Sequence, residues 1–167
     1  IFFSDRIEKF IPPKKGRKHI LYIIRELLEF KPESNRTDVA CAVEYLTSVI
    51  KRRCTAFLLS DFIADKDFRQ PLTIANRKHD GVAVQVYDRR VAELPDVGLM
   101  QVRDAESGEE MLVDTGSKKV RNMHAAWWRG QQNRLREIFT RSGVDNVSVR
   151  TDHDYVTALM GLFKQRA

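Results

Sequence analysis

Apolar residues recur with different periods along this chain, and each period predicts a different kind of element. Between residues 17 and 30 they recur every three or four positions, which predicts a helix with one buried face. The residues on that face are Ile20, Ile23, Ile24, Leu27 and Leu28. The same period continues from Thr37 to Ile50, so we predict a second helix that Thr37 opens.

Two apolar segments predict strands. "TAFLLS" at residues 55–60 has the continuous apolar sequence of a strand covered on both faces of a parallel sheet, and "DGVAVQVYD" at residues 80–88 predicts another buried strand. A helix is predicted between them at residues 67–78, and Pro71 limits where it can begin. A strand, a helix and a strand in this order predict a βαβ unit.

The remaining segments complete a layered α/β fold. Residues 1–11 predict two short strands joined by a turn at Ser4–Asp5. Residues 98–114 alternate on both sides of "DAESG" and predict an exposed antiparallel hairpin. They are followed by a long helix (118–141), a short strand (146–150) and a final amphipathic helix. We therefore predict a single α/β domain with a mostly parallel, doubly wound sheet and an inserted hairpin.

The composition fits one folded domain. The chain has 167 residues, of which 43% are hydrophobic and 31% charged, and no apolar run approaches the roughly 20 residues that span a bilayer. Cys41 and Cys54 lack the spacing of a zinc site, so we interpret both as free core thiols in a reducing, cytoplasmic compartment. The opening "IFFSD" lacks Met and already resembles a strand, so we expect the natural N-terminus to lie upstream.

The formal net charge of +6 is concentrated in basic segments, of which residues 121–137 form one. This segment contains Trp127 and Trp128, which point about 100° apart on a helix and so cannot both enter the core. Basic residues beside an exposed aromatic side chain would suit a nucleic acid. The alternative interpretation is a solvated helix face, with one tryptophan on the sheet and the other under the hairpin.

Polar oxygens follow the predicted parallel strands. Ser60 and Asp61 end the first strand, and Asp88 ends the next. In open α/β sheets, ligands bind outside the carboxyl ends of the strands, and carboxylate and hydroxyl oxygens are ligands for Mg²⁺. Thr37, at the start of a helix, would add a hydroxyl. The alternative is an ordinary solvated acid at Asp61 and an ordinary N-cap at Thr37.

Several segments together resemble the bacterial DUF58 family, a group of von Willebrand factor A-like domains. The resemblance covers nearly the whole chain in order. It is carried by "IFFSDRIEKFIPPKKGRKH", "RTDVACAVEYL", "AFLLSDF", "YDRRVAELPDVGLMQVRDAESGEEMLVDT" and "YVTALMGLFKQR".

The resemblance implies a Rossmann-like three-layer sandwich that carries a metal-ion-dependent adhesion site. Its metal ligands would include Thr37 in "RTD" and Asp61 in "LLSDF". The family also has a DxSxS loop after its first strand, and residues 1–167 contain no such sequence. We therefore expect a single domain that lacks its first strand and that loop, with weak or absent binding of Mg²⁺, Mn²⁺ or Ca²⁺.

The same resemblance places the missing strand between the strand at residues 1–4 and the strand at residues 55–60. We expect the chain either to close this gap by pairing the two strands directly or to borrow a strand, for example in a homodimer through exposed strand edges.

Three functions follow as hypotheses. The first is a protein-interaction module without enzymatic activity, whose partner the resemblance suggests to be a MoxR-type AAA+ ATPase in complex assembly. The second is a Mg²⁺-dependent hydrolase or nuclease, for which Asp61, Asp65 and Asp67 would be the carboxylates. In that case the alternative is that Asp65 and Asp67 stabilise the start of the next helix. The third is the basic nucleic-acid-binding domain.

Overall fold

The computed structural model describes residues 1–64 and 66–166. Within them the chain forms strands and helices that we number in chain order. They are β1 (Phe2–Phe3), β2 (Ile7–Lys9), α1 (Arg17–Glu29), α2 (Val39–Val49), β3 (Thr55–Ser60), α3 (Arg69–Lys78), β4 (Asp80–Tyr87), α4 (Arg89–Ala92), β5 (Leu99–Arg103), β6 (Glu110–Asp114), α5 (Lys118–Ser142), β7 (Asp145–Arg150) and α6 (Tyr155–Arg166).

A parallel sheet with the order β3-β4-β7 forms the centre of the molecule. β3 pairs with β4 from Thr55 opposite Asp80 to Ser60 opposite Gln85, and β7 pairs in parallel on the other side of β4. The helix α3 connects β3 to β4, so the predicted βαβ unit is confirmed.

Helices cover both faces of this sheet. On one face, side chains of α2, α3 and α5 form the larger core cluster with Ala83 of β4. On the other face, Leu162 of α6 packs with Val82, Val84 and Val149. Alternate residues of β4 enter the two clusters because successive side chains of a strand point to opposite faces. The predicted α/β class, with helical layers around a parallel sheet, is therefore present in the structure.

The two predicted hairpins are confirmed and stand apart from the parallel sheet. β1 pairs antiparallel with β2 across the turn that begins at Ser4. β5 pairs antiparallel with β6, from Leu99 opposite Asp114 to Arg103 opposite Glu110. The predicted long helix is also confirmed as α5. Gly143, which follows its last residue, adopts the left-handed conformation typical of a glycine after a helix.

The helix α1 forms where predicted, but the predicted burial of its apolar face is wrong. No residue of α1 is buried, and Leu27 and Leu28 are 64% and 82% exposed. The Lys9–Glu26 ion pair ties α1 to β2, and α1 contributes no side chain to either core cluster. Its apolar stripe therefore has the period of a buried helix without a covering surface in the described residues.

β3 is well packed on one face only, contrary to the prediction of two covered faces. On its other face Phe57 meets Phe163 of α6 edge-on, with ring centroids 6.2 Å apart, and this contact covers the face only in part. Leu58 packs against the larger core cluster, whereas Phe57 and Leu59 are 46% and 59% exposed. The predicted direct pairing of the first strand with β3 is also wrong, because in the described residues β1 pairs only with β2 and β3 only with β4. β3 thus has one unpaired edge, and pairing of that edge with another chain stays a prediction.

Cys41 and Cys54 are both free, as predicted, and both are half-buried. In the part of the chain that the structure describes, no helix has both the length and the apolar character needed to cross a bilayer.

The buried histidine His79 makes the stability of this fold depend on pH. Its side chain is 1% exposed, and burial followed by the charge of Lys78 lowers the pKa of the imidazole. As the pH falls through the ordinary histidine pKa of about 6.5, the unfolded chain takes up a proton that the folded chain resists. The free energy of unfolding should therefore be constant above that pH and fall below it.

Urea denaturation of the wild type and His79→Leu between about pH 7.5 and 5.5 measures this effect. The wild type should lose stability across the range, and the slope should be absent in His79→Leu whatever its absolute stability. A slope that persists in His79→Leu would assign the pH dependence to another group.

Candidate functional site

The chain turns sharply where β3 ends, and two polar side chains hold the turn. The Ser60 Oγ accepts the backbone N–H of Phe62 at 3.0 Å, and the Asp61 Oδ1 accepts the backbone N–H of Ile63 at 3.1 Å. The side chain of Phe62 is buried while Asp61 is exposed. The Asp61 carboxylate is thus presented to solvent at the carboxyl end of β3.

Phe62 adopts a backbone conformation that is rare for a bulky residue. Its φ is 58°, which lies in the left-handed region, and the side chain is only 2% exposed. The ring packs edge-on against Phe139 with centroids 5.2 Å apart, and in a tilted arrangement against Phe68 at 5.9 Å. Since left-handed backbone costs about 1 kcal/mol for an L-residue, this packing is what offsets the strain beside Asp61.

A buried polar chain fixes the backbone of Asp61 from within the sheet. Gln85 of β4 is 3% exposed, and its side-chain amide donates to the Asp61 carbonyl oxygen at 3.3 Å. Ser148 of β7 donates in turn to the Gln85 Oε1 at 2.8 Å. All three strands of the parallel sheet therefore contribute to positioning this end of β3.

Thr37 lies at the entrance of α2 but does not cap it, so the predicted cap is wrong by one residue. The N-cap is Asp38, whose Oδ1 accepts the backbone N–H of Cys41 at 3.1 Å. The backbone of Asp38 also donates to the Ser4 carbonyl oxygen at 2.9 Å, which ties α2 to the first hairpin. Because Asp38 takes the capping role, the Thr37 hydroxyl is not needed for it.

An ion pair connects the two regions that carry Thr37 and Asp61. The Lys66 ammonium donates to the Asp38 Oδ2 at 2.5 Å. Lys66 lies in the loop that begins at Asp61, and Asp38 follows Thr37 directly. This contact brings both predicted ligands to the same end of the sheet, although no hydrogen bond between their side chains occurs in the described residues.

The Asp38 carboxyl is electrostatically constrained. Burial by itself would raise its pKa, but the hydrogen bonds from Lys66 and the Cys41 N–H outweigh burial and hold the pKa below its usual range. The hydrogen bond to Asp38 in turn raises the pKa of Lys66. Both groups are therefore charged at neutral pH.

Glu106, at the tip of the β5–β6 hairpin, is a contact that the sequence pattern did not indicate. Its Oε1 accepts the backbone N–H of Thr37 at 3.1 Å. The turn that presents it is held by Asp104, whose Oδ1 accepts the N–H of Ser107 at 2.6 Å. The inserted hairpin thus reaches the start of α2, where a negative charge is favoured by the helix dipole.

Two further acids have structural roles. Asp88 caps α4 by accepting the backbone N–H of Arg90 at 2.7 Å, and it also accepts the Thr151 hydroxyl. Asp5 lies in the turn of the first hairpin, where a hydrogen bond from Ser34 lowers its pKa.

The hydrolase hypothesis named Asp65 and Asp67 as carboxylates beside Asp61. The Asp67 carboxylate accepts the backbone N–H of Arg69 just before α3, and Asp65 lies outside the described residues.

The donors at this edge fit a hard cation in kind. Asp61 offers an exposed carboxylate and Thr37 a hydroxyl, and Mg²⁺ prefers oxygen ligands while retaining several waters. No group of three or more histidine, cysteine or acidic side chains able to hold a metal ion occurs in residues 1–64 and 66–166. The chain's own contribution to such a site would therefore be Asp61 and Thr37, completed by water or by other oxygen ligands.

The two tryptophans separate as the helical geometry requires. Trp128 is half-buried against Tyr87 at the end of β4, with ring centroids 5.1 Å apart. Trp127 is 41% exposed and lies beside His124 at 5.4 Å. The prediction that one tryptophan packs on the sheet is confirmed by Trp128. The prediction that the other lies covered under the hairpin is wrong, because Trp127 is exposed.

A family model described as "Protein of unknown function DUF58" matches residues 1–134 of the chain. The chain is also 30% identical over 160 residues to the uncharacterized protein Rv1480 of Mycobacterium tuberculosis, a match that covers 93% of this chain and 50% of that protein. It is 27% identical to the uncharacterized protein MAV169 of Mycobacterium avium, with 93% of each chain covered. The chain thus spans about half the length of the first of these relatives.

A solved structure described as an uncharacterized membrane spanning protein from Vibrio fischeri is 16% identical. The match covers 87% of this chain and 64% of that one, with a TM-score of 0.25. A likeness at this level does not bear on the fold.

The capping role of Asp38 can be measured by two substitutions. Asp38→Ala removes the cap and should lower the free energy of unfolding by about 1–2 kcal/mol. Asp38→Asn keeps an N-capping side chain and should lose less than half of that amount. Urea denaturation at neutral pH compares them, and equal losses in the two variants would assign the effect to the Lys66 ion pair instead of the cap.

Proposed function

The chain belongs to the DUF58 family, and on that premise we propose that it is a protein-interaction module of the von Willebrand factor A type, without catalytic activity. The observation that carries the proposal is the presentation of Asp61 at the end of β3. This carboxylate is exposed, while the residues on both sides of it are fixed by the turn, by Phe62 and by Gln85. A rigid, exposed carboxylate at the carboxyl end of a parallel strand is suited to binding.

The proposed site holds a hard divalent cation, Mg²⁺ or Mn²⁺, through Asp61 and Thr37. Asp61 would provide the charge and Thr37 a neutral oxygen, both from the sheet end that the Lys66–Asp38 contact assembles. Since two protein ligands leave most coordination positions free, further oxygens would come from outside the chain described here. A partner's carboxylate in one of these positions would make binding of the partner depend on the cation.

A binding role is favoured over a hydrolytic one by the use made of the neighbouring polar groups. The Ser60 hydroxyl is engaged in the turn by accepting the Phe62 N–H, and the Asp67 carboxylate accepts a helix N–H. Both groups therefore support the backbone, and the second oxygen of Asp67 faces the Arg69 guanidinium at 3.9 Å. The Asp61 Oδ1 also accepts a backbone N–H, but its second oxygen has no hydrogen bond within the described residues and is left for a ligand.

The proposed partner is a MoxR-type AAA+ ATPase, as the family resemblance suggests. The exposed apolar face of α1 and the free edge of β3 provide large surfaces beyond the cation site. Exposed apolar patches of this kind are typical of surfaces that another protein covers.

The cation site is tested by calorimetric titration of the full-length protein with MnCl₂ and MgCl₂. Asp61→Ala should abolish binding, and Thr37→Val, which removes the hydroxyl but keeps the side-chain shape, should weaken it by about tenfold. Asp88→Asn, at the exposed acid that ends β4, is the matched control and should bind as the wild type does. Equal affinities of the wild type and Asp61→Ala would overturn the assignment.

The partner is tested with the purified MoxR-type ATPase of the same organism by biolayer interferometry. Binding should need Mg²⁺, disappear in EDTA and be weakened at least about tenfold by Asp61→Ala. Binding that is unchanged by both EDTA and Asp61→Ala would place the contact elsewhere on the molecule.

A further inference from the structure

We propose that the ammonium group of Lys66 offsets the charge of Asp38 beside the cation site at the end of β3, so that the Lys66–Asp38 pair sets how tightly this edge binds a divalent ion. The inference rests on the cation site proposed above and concerns its regulation. The Lys66 ammonium is bound to Asp38, the residue that follows the proposed ligand Thr37.

The carboxylate of this pair is fixed. The Asp38 side chain is 10% exposed, and both of its oxygens are used, Oδ1 by the Cys41 N–H at 3.1 Å and Oδ2 by Lys66 at 2.5 Å. Its backbone is held as well, by the hydrogen bond to the Ser4 carbonyl oxygen. A carboxylate buried to this extent is strongly destabilising without a counter-charge, so Asp38 requires a positively charged group beside it.

The ammonium of the pair is exchangeable by comparison. The Lys66 side chain is 71% exposed, so its charge can return to water without a large desolvation cost. The hydrogen bond to Asp38 and the charge of Asp38 raise the pKa of Lys66, and the charge of Asp5 adds a smaller effect in the same direction. The pair therefore combines a buried, immobile acid with an exposed, replaceable base.

The position of the pair determines its effect on a divalent ion. Lys66 belongs to the loop that starts at Asp61, and its ammonium is bound to the residue that follows Thr37. A cation held by Asp61 and Thr37 would therefore feel both charges of the pair at short range. With Lys66 in place those charges nearly cancel, and without it the charge of Asp38 acts unopposed. By Coulomb's law, one unit charge within about 10 Å of a divalent ion changes the affinity for that ion roughly tenfold.

Four variants separate this electrostatic effect from any other role of Lys66. Lys66→Met removes the positive charge, Lys66→Arg keeps it, Asp38→Asn removes the negative charge but keeps a capping side chain, and Asp38→Asn/Lys66→Met removes both. The measurement is the dissociation constant for Mn²⁺, obtained by calorimetry on the full-length protein at low ionic strength. Thermal unfolding of each variant reports whether it is folded.

The expected order follows from the net charge of the pair. Lys66→Met should bind Mn²⁺ roughly tenfold more tightly than the wild type, and Asp38→Asn roughly tenfold more weakly. Lys66→Arg and the double variant, whose pairs are both neutral overall, should bind as the wild type does. If Lys66→Met alone fails to fold because Asp38 has lost its counter-charge, the double variant and Asp38→Asn still provide the comparison.

The outcomes distinguish this inference from the site on which it rests. Equal affinities in all folded variants, with binding still abolished by Asp61→Ala, would overturn the role of Lys66 and leave the cation site standing. No binding of Mn²⁺ by any variant, Lys66→Met included, would overturn both. An order in which the double variant follows Lys66→Met, not the wild type, would show that Lys66 acts by something other than charge.

Discussion

The candidate site depends on one backbone constraint, the left-handed conformation of Phe62. A φ of 58° at a buried aromatic residue is tolerated because the ring packs against Phe139 and Phe68 in the larger core cluster. With this ring directed into the core, the chain must reverse within the preceding two residues. Because of that reversal Asp61 is exposed, although Leu58 of the same strand β3 packs against the core.

The same constraint joins the site to the rest of the fold. The reversal sends the chain across the sheet end toward α3, and Lys66 meets the N-cap of α2 on the way. Gln85 and Ser148 secure the other side of the turn from β4 and β7. Since buried polar groups are satisfied in this arrangement, the network can position the Asp61 backbone without loss of stability. The rigid position of Asp61 is thus a property of the whole sheet end.

The sequence predicted the elements of this fold better than it predicted their environment. The periods of apolar residues identified α1, β3 and the βαβ unit because those periods are local properties of helices and strands. They also implied that the apolar face of α1 and both faces of β3 are buried, which is wrong for the described residues. A period shows that a face is apolar, whereas its burial depends on whether another part of the polypeptide or another molecule covers it.

The candidate site was predictable to a similar extent. Asp61 was found because an acid that interrupts an apolar strand is a local exception, and Gln85 is an exception of the same kind that could have been noticed in "DGVAVQVYD". The ion pair between Lys66 and Asp38 and the contact of Glu106 with Thr37 join positions 28 and 69 residues apart. One sequence contains no signal for such contacts, because they arise only when the loops meet in three dimensions.

The unpaired edge of β3 and the candidate site are next to one another, and this proximity has a physical consequence. The unpaired edge of β3 ends at Ser60, the residue before Asp61. A strand that pairs with this edge, from the same polypeptide or from another protein, would run past the side chains of Phe57 and Leu59 and end beside Asp61. Main-chain hydrogen bonds would provide affinity along the edge, and a group at the end of the added strand would meet the carboxylate. Strand addition and cation binding would then be coupled, because both would use the same end of β3.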